Sequence, residues 1–191
     1  MKTSIIENKK IAIIGGGPVG LTTARILQIN GADVTVYERD INAQARTSGG
    51  TLDIHSDSGQ FAIQKAGLME EFKKYARPTG EKMADMNGNI TSDEMPDESN
   101  AFSRPEIDRN DLRKIMLDNL KENTVVWDSQ LTNIEKKENQ YILEFKDGQT
   151  TTADFVIVAN GGRSNARKFV SDQEPQLSGT YIIQGEIVNP D

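Results

Sequence analysis

Two short apolar runs frame the chain. Ile11-Ala12-Ile13-Ile14 carries no charge and suits a strand covered on both faces in a parallel sheet. Asp154 to Ala159, D-F-V-I-V-A, repeats the pattern near the other end and predicts a second fully buried parallel strand. Each run leads into glycines and then a helix-forming stretch. Val19 to Asn30 holds helix formers with no breaker, Asn30-Gly31 ends it, and Ala32 to Glu38 (A-D-V-T-V-Y-E) reads as the next strand. After the distal run come Asn160-Gly161-Gly162 and a helix over Ser164 to Val170.

The stretch between these units has a different texture. Gly49-Gly50 followed by alternating Leu52 and Ile54 predicts a turn into a short strand. Gly59–Ala66 and Leu68–Ala76 read as two short helices parted by Gly67, the second stopped at Arg77-Pro78. Asn87-Gly88 is a hairpin turn signal within Glu81–Ile90, and the polar, proline-containing Thr91–Pro105 reads as a loop. Asp108–Leu120 is a helix with Asp108 at the N-cap and an apolar stripe of Leu112, Ile115, Met116 and Leu120. Val125–Trp127, Gln130–Glu135 and Gln140–Phe145 read as strands, Asp147-Gly148 as a turn, and Gly179–Val188 as a final strand. The sum is an α/β, Rossmann-like fold with an antiparallel β insertion and the beginning of a second sheet.

The first β-α-β unit carries the chemistry. Gly15, Gly17 and Gly20 follow the spacing G-x-G-x-x-G. Gly15 permits the tight turn, Gly17 lets the main chain approach a pyrophosphate, and Gly20 lets the helix pack closely. The helix N-terminus favours an anion, and Pro18 fits its first turn. Glu38 ends the second strand where the adenosine ribose hydroxyls of a dinucleotide lie, which favours FAD or NAD over a 2′-phosphate. A doubly wound domain that merely keeps the turn is the bland alternative.

Composition narrows the partners. The 191 residues have a net charge of −7, which gives nucleic acid no electrostatic support. Cysteine is absent, which excludes disulfides, thiolate metal sites and a cysteine nucleophile. The single histidine, His55, leaves no paired histidine metal site and reads as a packing or hydrogen-bonding residue. No run approaches membrane-spanning length and no signal peptide is visible, so the expectation is a soluble, cytoplasmic protein. The carboxylates around Asp57 and over Asp93–Glu98 lack metal-loop spacing. Oligomeric state is left open.

G-G-G-P-V-G-L with a terminal Glu38-Arg39 pair resembles the FAD-dependent aromatic-hydroxylase-type monooxygenases. Their second motif, D-G-x-x-S-x-x-R, is matched from Asn160 to Arg167 with asparagine in place of aspartate. Y-E-R-D, G-G-T-L-D-I-H, K-A-G-L, R-N-D-L-R and A-N-G-G together are similar to the tetracycline-inactivating flavin monooxygenases, from about Lys9 onward. That resemblance implies FAD and NADPH as cofactors, and molecular oxygen and a tetracycline-like polycyclic ring as reactants. It implies that Glu38 and Arg39 serve the adenosine end, that Asp53 and Arg109 contact FAD, and that Gly161 belongs to the second motif. It also implies that Arg46 helps receive NADPH and that Gln184 touches substrate. No side chain is assigned as catalytic, because the flavin carries the chemistry.

Each of these has a plainer alternative. Asp53 projects opposite Leu52 and Ile54 and suits a solvent-facing strand position. Arg46 lies in a polar loop, and Gln184 is flanked by Ile183 and Gly185 as an ordinary strand amide. Arg109 opposes the helix dipole, which a bound phosphate would relieve. The resemblance further implies a downstream Gly-Asp motif, most of a substrate sheet and a C-terminal helix that this chain lacks. The expected division is therefore an FAD-binding domain over 1–177 and the first strand of a substrate domain over 178–191. Three readings stand: part of such a monooxygenase, an FAD-binding module without turnover, or a nicotinamide-dependent dehydrogenase. The third is disfavoured by the absence of a Tyr-x-x-x-Lys pair.

Overall fold

The computed structural model describes residues 5–46, 49–181 and 183. Its centre is a four-stranded, all-parallel sheet in the order β11-β1-β2-β7, where β1 is Lys10–Ile14, β2 Asp33–Tyr37, β7 Val125–Val126 and β11 Phe155–Val158. The alternation of β1 explains its all-apolar sequence. Ile11 and Ile13 enter the core on the helical face, and Ala12 and Ile14 enter a second core on the other face.

The helical face is covered by α1 (Pro18–Ile29), α2 (Gly59–Lys65), α3 (Met69–Tyr75) and α4 (Arg109–Asp118). Leu21 and Ala24 of α1, Phe72 of α3, and Leu112, Ile115 and Met116 of α4 meet Val34 and Val36 there. Leu120, the last of the apolar stripe read from the sequence, packs partly buried against this core. The opposite face is covered by an antiparallel sheet, β10-β9-β8 (Thr150–Ala153, Gln140–Phe145, Leu131–Lys137). Leu131, Leu143 and Phe145 fill that layer, with Tyr37 stacked on Phe145 at a ring separation of 4.7 Å. The fold class is the expected one, an α/β Rossmann-like architecture with antiparallel elements inserted.

Several local expectations are corrected. Among the described residues, β11 has one strand partner, β1. Phe155 is 43% exposed and Val158 37%, where the apolar run predicted full burial. The helix expected over Ser164–Val170 is a single 3₁₀ turn, Arg167–Phe169. Part of the expected 91–105 loop is strand. β4 (Glu81–Ala84) pairs with β5 (Ile90–Glu94) in a hairpin whose turn is braced by the Asp85 carboxylate, which accepts from the amides of Asn87 (2.8 Å) and Asn89 (2.9 Å). A short ribbon, β3 (Thr51–Asp53) against β6 (Glu106–Asp108), leads into α4. Asp108 occupies the N-cap of α4 without a side-chain cap bond, because its carboxylate takes Arg77 Nη2 at 3.0 Å instead. The expected strand over 179–188 falls mostly outside the described residues. Among the described residues, no helix is long and apolar enough to cross a membrane, and no group of His, Cys, Asp or Glu could hold a metal ion.

Candidate dinucleotide-binding crevice

A crevice of about 470 Å³ opens at the carboxyl ends of β1, β2 and β11. Chain connections leave β1 toward β2 on one side while β11 lies on the other, so the crevice sits at the switch point where α/β sheets bind ligands. Its floor is the turn after β1. Gly15 adopts φ +107° and donates its N–H to the carbonyl of Tyr37 at 2.9 Å. A Cβ there would lie 2.7 Å from the carbonyl oxygen of Ala159, so both conformation and space require glycine. At Gly20 a Cβ would stand 2.0 Å from the Gly15 carbonyl oxygen, so α1 packs directly on the turn. At Gly17 a Cβ would meet nothing within 4 Å: the room is on the crevice side. The first α1 bond is donated by Leu21 to Gly17 (3.0 Å), and Pro18 lacks an N–H, so the amides of Val19 and Gly20 lie ahead of the helical ladder.

Glu38 closes the side of the crevice at the end of β2. Its side chain is buried, with 2% exposed, and its carboxylate is held by three donors. Oε2 accepts from the Gly16 amide, and Oε1 accepts from the Asp40 amide at 2.9 Å and Arg46 Nη2 at 3.4 Å. A carboxylate offers about four lone-pair sites, so one acceptor position is left for a hydroxyl. Arg46 also donates from Nε to Asp40 Oδ2 at 2.6 Å. Behind this group lies Arg113, buried in α4. It donates to the Gly16 carbonyl (3.3 Å), the Ala43 carbonyl (3.1 Å) and Asp40 Oδ2 (3.1 Å), and its guanidinium sits 5.3 Å from the Trp127 ring centre.

The opposite wall is the segment after β11. Asn160 donates to Asn165 Oδ1 at 3.2 Å, and Asn165 anchors on the Leu131 carbonyl at 2.7 Å. Asn160 Oδ1 is buried and has no hydrogen-bond partner. Gly161, at φ +93°, continues this wall, and Arg39 lines the crevice with its side chain exposed.

These features fit the ADP portion of FAD: open space above Gly17, amides ahead of a helix ladder, a buried carboxylate with acceptor capacity, and a stranded acceptor on the far wall. Seven of the residues singled out in the sequence, Gly15, Gly17, Glu38, Arg39, Arg46, Gly161 and (beneath the turn) Gly20, meet at this one place. Asp53 and Arg109 do not line it. Both are exposed on the β3–β6 side, Asp53 opposite Glu106 and Arg109 bonded through its N–H to the Gly50 carbonyl at 3.2 Å, at the other end of the ribbon. Gln184 lies outside the described residues. His55 is exposed, and its carbonyl accepts the Gln60 amide at 3.0 Å at the start of α2.

Sequence reasoning missed Gly16, Asp40 and Arg113. A Cβ on Gly16 would press on Glu38 at 3.0–3.2 Å, and the second arginine of R-N-D-L-R falls among the buried positions of α4. A charged residue on the face that carries Leu112 and Met116 was the available signal.

Residues 8–184 match the family described as FAD binding domain. The chain belongs to that family. Among curated relatives, monooxygenase asqM of Emericella nidulans is 30% identical over 91% of this chain and 43% of its own length. Among solved structures, the tetracycline destructase Tet(51) superposes with a TM-score of 0.66 at 26% identity, covering 86% of this chain and 42% of that one. A variant of Klebsiella pneumoniae HpxO complexed with FAD gives 0.72 at 25% identity, covering 88% and 44%. The likeness is thus shared across flavin monooxygenases and does not single out the tetracycline-inactivating members. The chain spans less than half the length of the curated relatives it matches.

Proposed function

We propose that this chain is the FAD-binding part of an NAD(P)H-dependent flavin monooxygenase. The carrying observation is the crevice, where the glycine turn, the buried Glu38 carboxylate and the stranded Asn160 acceptor converge inside an FAD-family domain. The amides of Val19 and Gly20 would take the pyrophosphate, Glu38 the adenosine ribose, and Asn160 Oδ1 a donor on the opposite side. Arg39 and Arg46 supply positive charge to a chain whose net charge of −7 would otherwise repel an anionic ligand. Asp53 and Arg109 serve the flavin end of an extended cofactor, away from the crevice, and Arg46 and Gln184 serve NADPH and substrate respectively.

When bound, FAD supplies the redox chemistry by which NADPH and oxygen hydroxylate an electron-rich ring. The protein's share is binding and orientation: its amides and carboxylate fix the dinucleotide so that the flavin end is presented consistently. As for the ring, we propose a tetracycline-type polycycle. The G-G-T-L-D-I-H and R-N-D-L-R stretches and the likeness to a tetracycline destructase support it. The proposed division leaves 1–177 for the cofactor and 178–191 as the entry to a substrate domain.

The cofactor test is the visible spectrum of the purified chain after incubation with FAD and removal of free flavin. Retained flavin absorbance is expected, and a colourless protein that retains only NAD would overturn the reading. For substrate, NADPH oxidation by the whole monooxygenase of which this chain is proposed to be the FAD-binding part is followed with a tetracycline, which is expected to stimulate it, and, in parallel, with a monocyclic hydroxybenzoate. Stimulation by the monocycle alone would refute the polycyclic assignment.

A further inference from the structure

Arg113 has no place in the proposed contacts with FAD, yet with Glu38 it is one of the two buried charged residues among the described residues, with 5% of it exposed. A buried guanidinium is costly unless its donors are matched, and here each of its three nitrogens has an acceptor. Those acceptors belong to two segments: the glycine turn, through the Gly16 carbonyl, and the post-β2 loop, through the Ala43 carbonyl and the Asp40 carboxylate. The contacts form a closed ring. Arg113 and Arg46 share Asp40 Oδ2, Arg46 reaches Glu38 Oε1, Glu38 accepts the Gly16 N–H, and the Gly16 carbonyl returns to Arg113. Both backbone polar groups of Gly16 are therefore committed, its N–H to Glu38 and its carbonyl to Arg113.

We propose that Arg113 is a positioning residue for the dinucleotide. From behind the crevice wall it fixes the orientation of the Gly16 peptide and the 40–46 loop, so that the Glu38 carboxylate and the turn amides are set before FAD arrives. Preformed donors and acceptors avoid the ordering cost that a loose loop would charge to binding. Lysine cannot replace it, because a point charge cannot serve three acceptors in a planar fork. The inference rests on the FAD reading, and it adds a residue that would act without touching the cofactor.

The test is an FAD titration of the full chain, followed by flavin fluorescence, for Arg113→Lys, Asp40→Asn and the double variant, with thermal melts of each without ligand. Trp127, the only tryptophan, reports the state of the ring through its emission. The expected result is a dissociation constant raised about tenfold in each single variant, and no further weakening in the double, because both break one ring. Tryptophan emission shifts in the unliganded Arg113→Lys protein while its melt stays cooperative. If Arg113→Lys does not fold, Asp40→Asn reads the same contact from the acid side. FAD affinities within twofold of the unaltered chain, or losses that add in the double variant, would overturn the positioning role. Failure of the unaltered chain to bind FAD would instead remove the reading on which it stands.

Discussion

At the scale of single residues, the glycines of the turn separate folding from binding. Gly20 has the Gly15 carbonyl oxygen 2.0 Å from where a Cβ would lie, and backbone cannot move aside as a flexible side chain can. Gly20→Ala should therefore destabilise the fold by about 3 kcal/mol, the upper part of the overpacking range, as read by urea unfolding. Gly17 sits at φ −82° and ψ 177°, an ordinary extended conformation, with open space at its Cβ position. Gly17→Ala should leave unfolding within about 0.5 kcal/mol of the unaltered chain yet weaken FAD binding by about tenfold or more, since the methyl enters the space proposed for the pyrophosphate. Equal losses of stability in the two variants would contradict this division. The two glycines and Glu38 were legible because their roles follow from fixed sequence spacing. Gly16 and Arg113 were not, because their partners come from other segments: Arg113 bonds a turn and a loop far away in sequence.

At the scale of elements, the way β11 joins the sheet carries a pH dependence. Asp154, just before β11, accepts the Lys10 amide at 2.8 Å at the start of β1, and this bond holds its carboxyl below the usual aspartate range. A lowered folded-state value means that the ionised form is favoured by folding. Its contribution is fully present above the unfolded value, near about pH 4, and is lost as pH falls through the lower folded value. Asp154→Asn should thus reduce the acid sensitivity of unfolding below about pH 4 and leave its slope near neutrality unchanged; an identical acid limb in the variant would contradict this. The same strand shows where pattern reading stops. An apolar run predicts a strand but not its place in the sheet: among the described residues β11 pairs with β1 alone, and Phe155 and Val158 are partly exposed. β6 and β10 escaped notice for a related reason. Glu106-Ile107-Asp108 and Thr150–Ala153 become strands through pairing with β3 and β9 rather than through apolar alternation of their own.

At the scale of the whole molecule, one layer of parallel strands separates two cores, and the crevice spans the end where both meet. A ligand there touches the turn after β1, the end of β2 and the segment after β11, so binding should stabilise the domain as a unit. With FAD at about 100 times its dissociation constant, linkage gives about 2.7 kcal/mol. For a chain of this length that corresponds to a rise in thermal midpoint of about 5–10 °C, measurable by calorimetry. An unchanged midpoint at saturating flavin would mean that the cofactor does not engage the native fold.

A crystal structure of the chain grown with FAD tests the central claim most directly. The account predicts the pyrophosphate against the amides of Val19 and Gly20 and a ribose hydroxyl within hydrogen-bond distance of Glu38. Ordered flavin elsewhere on the molecule, with this crevice filled by solvent or by the protein's own side chains, would contradict it.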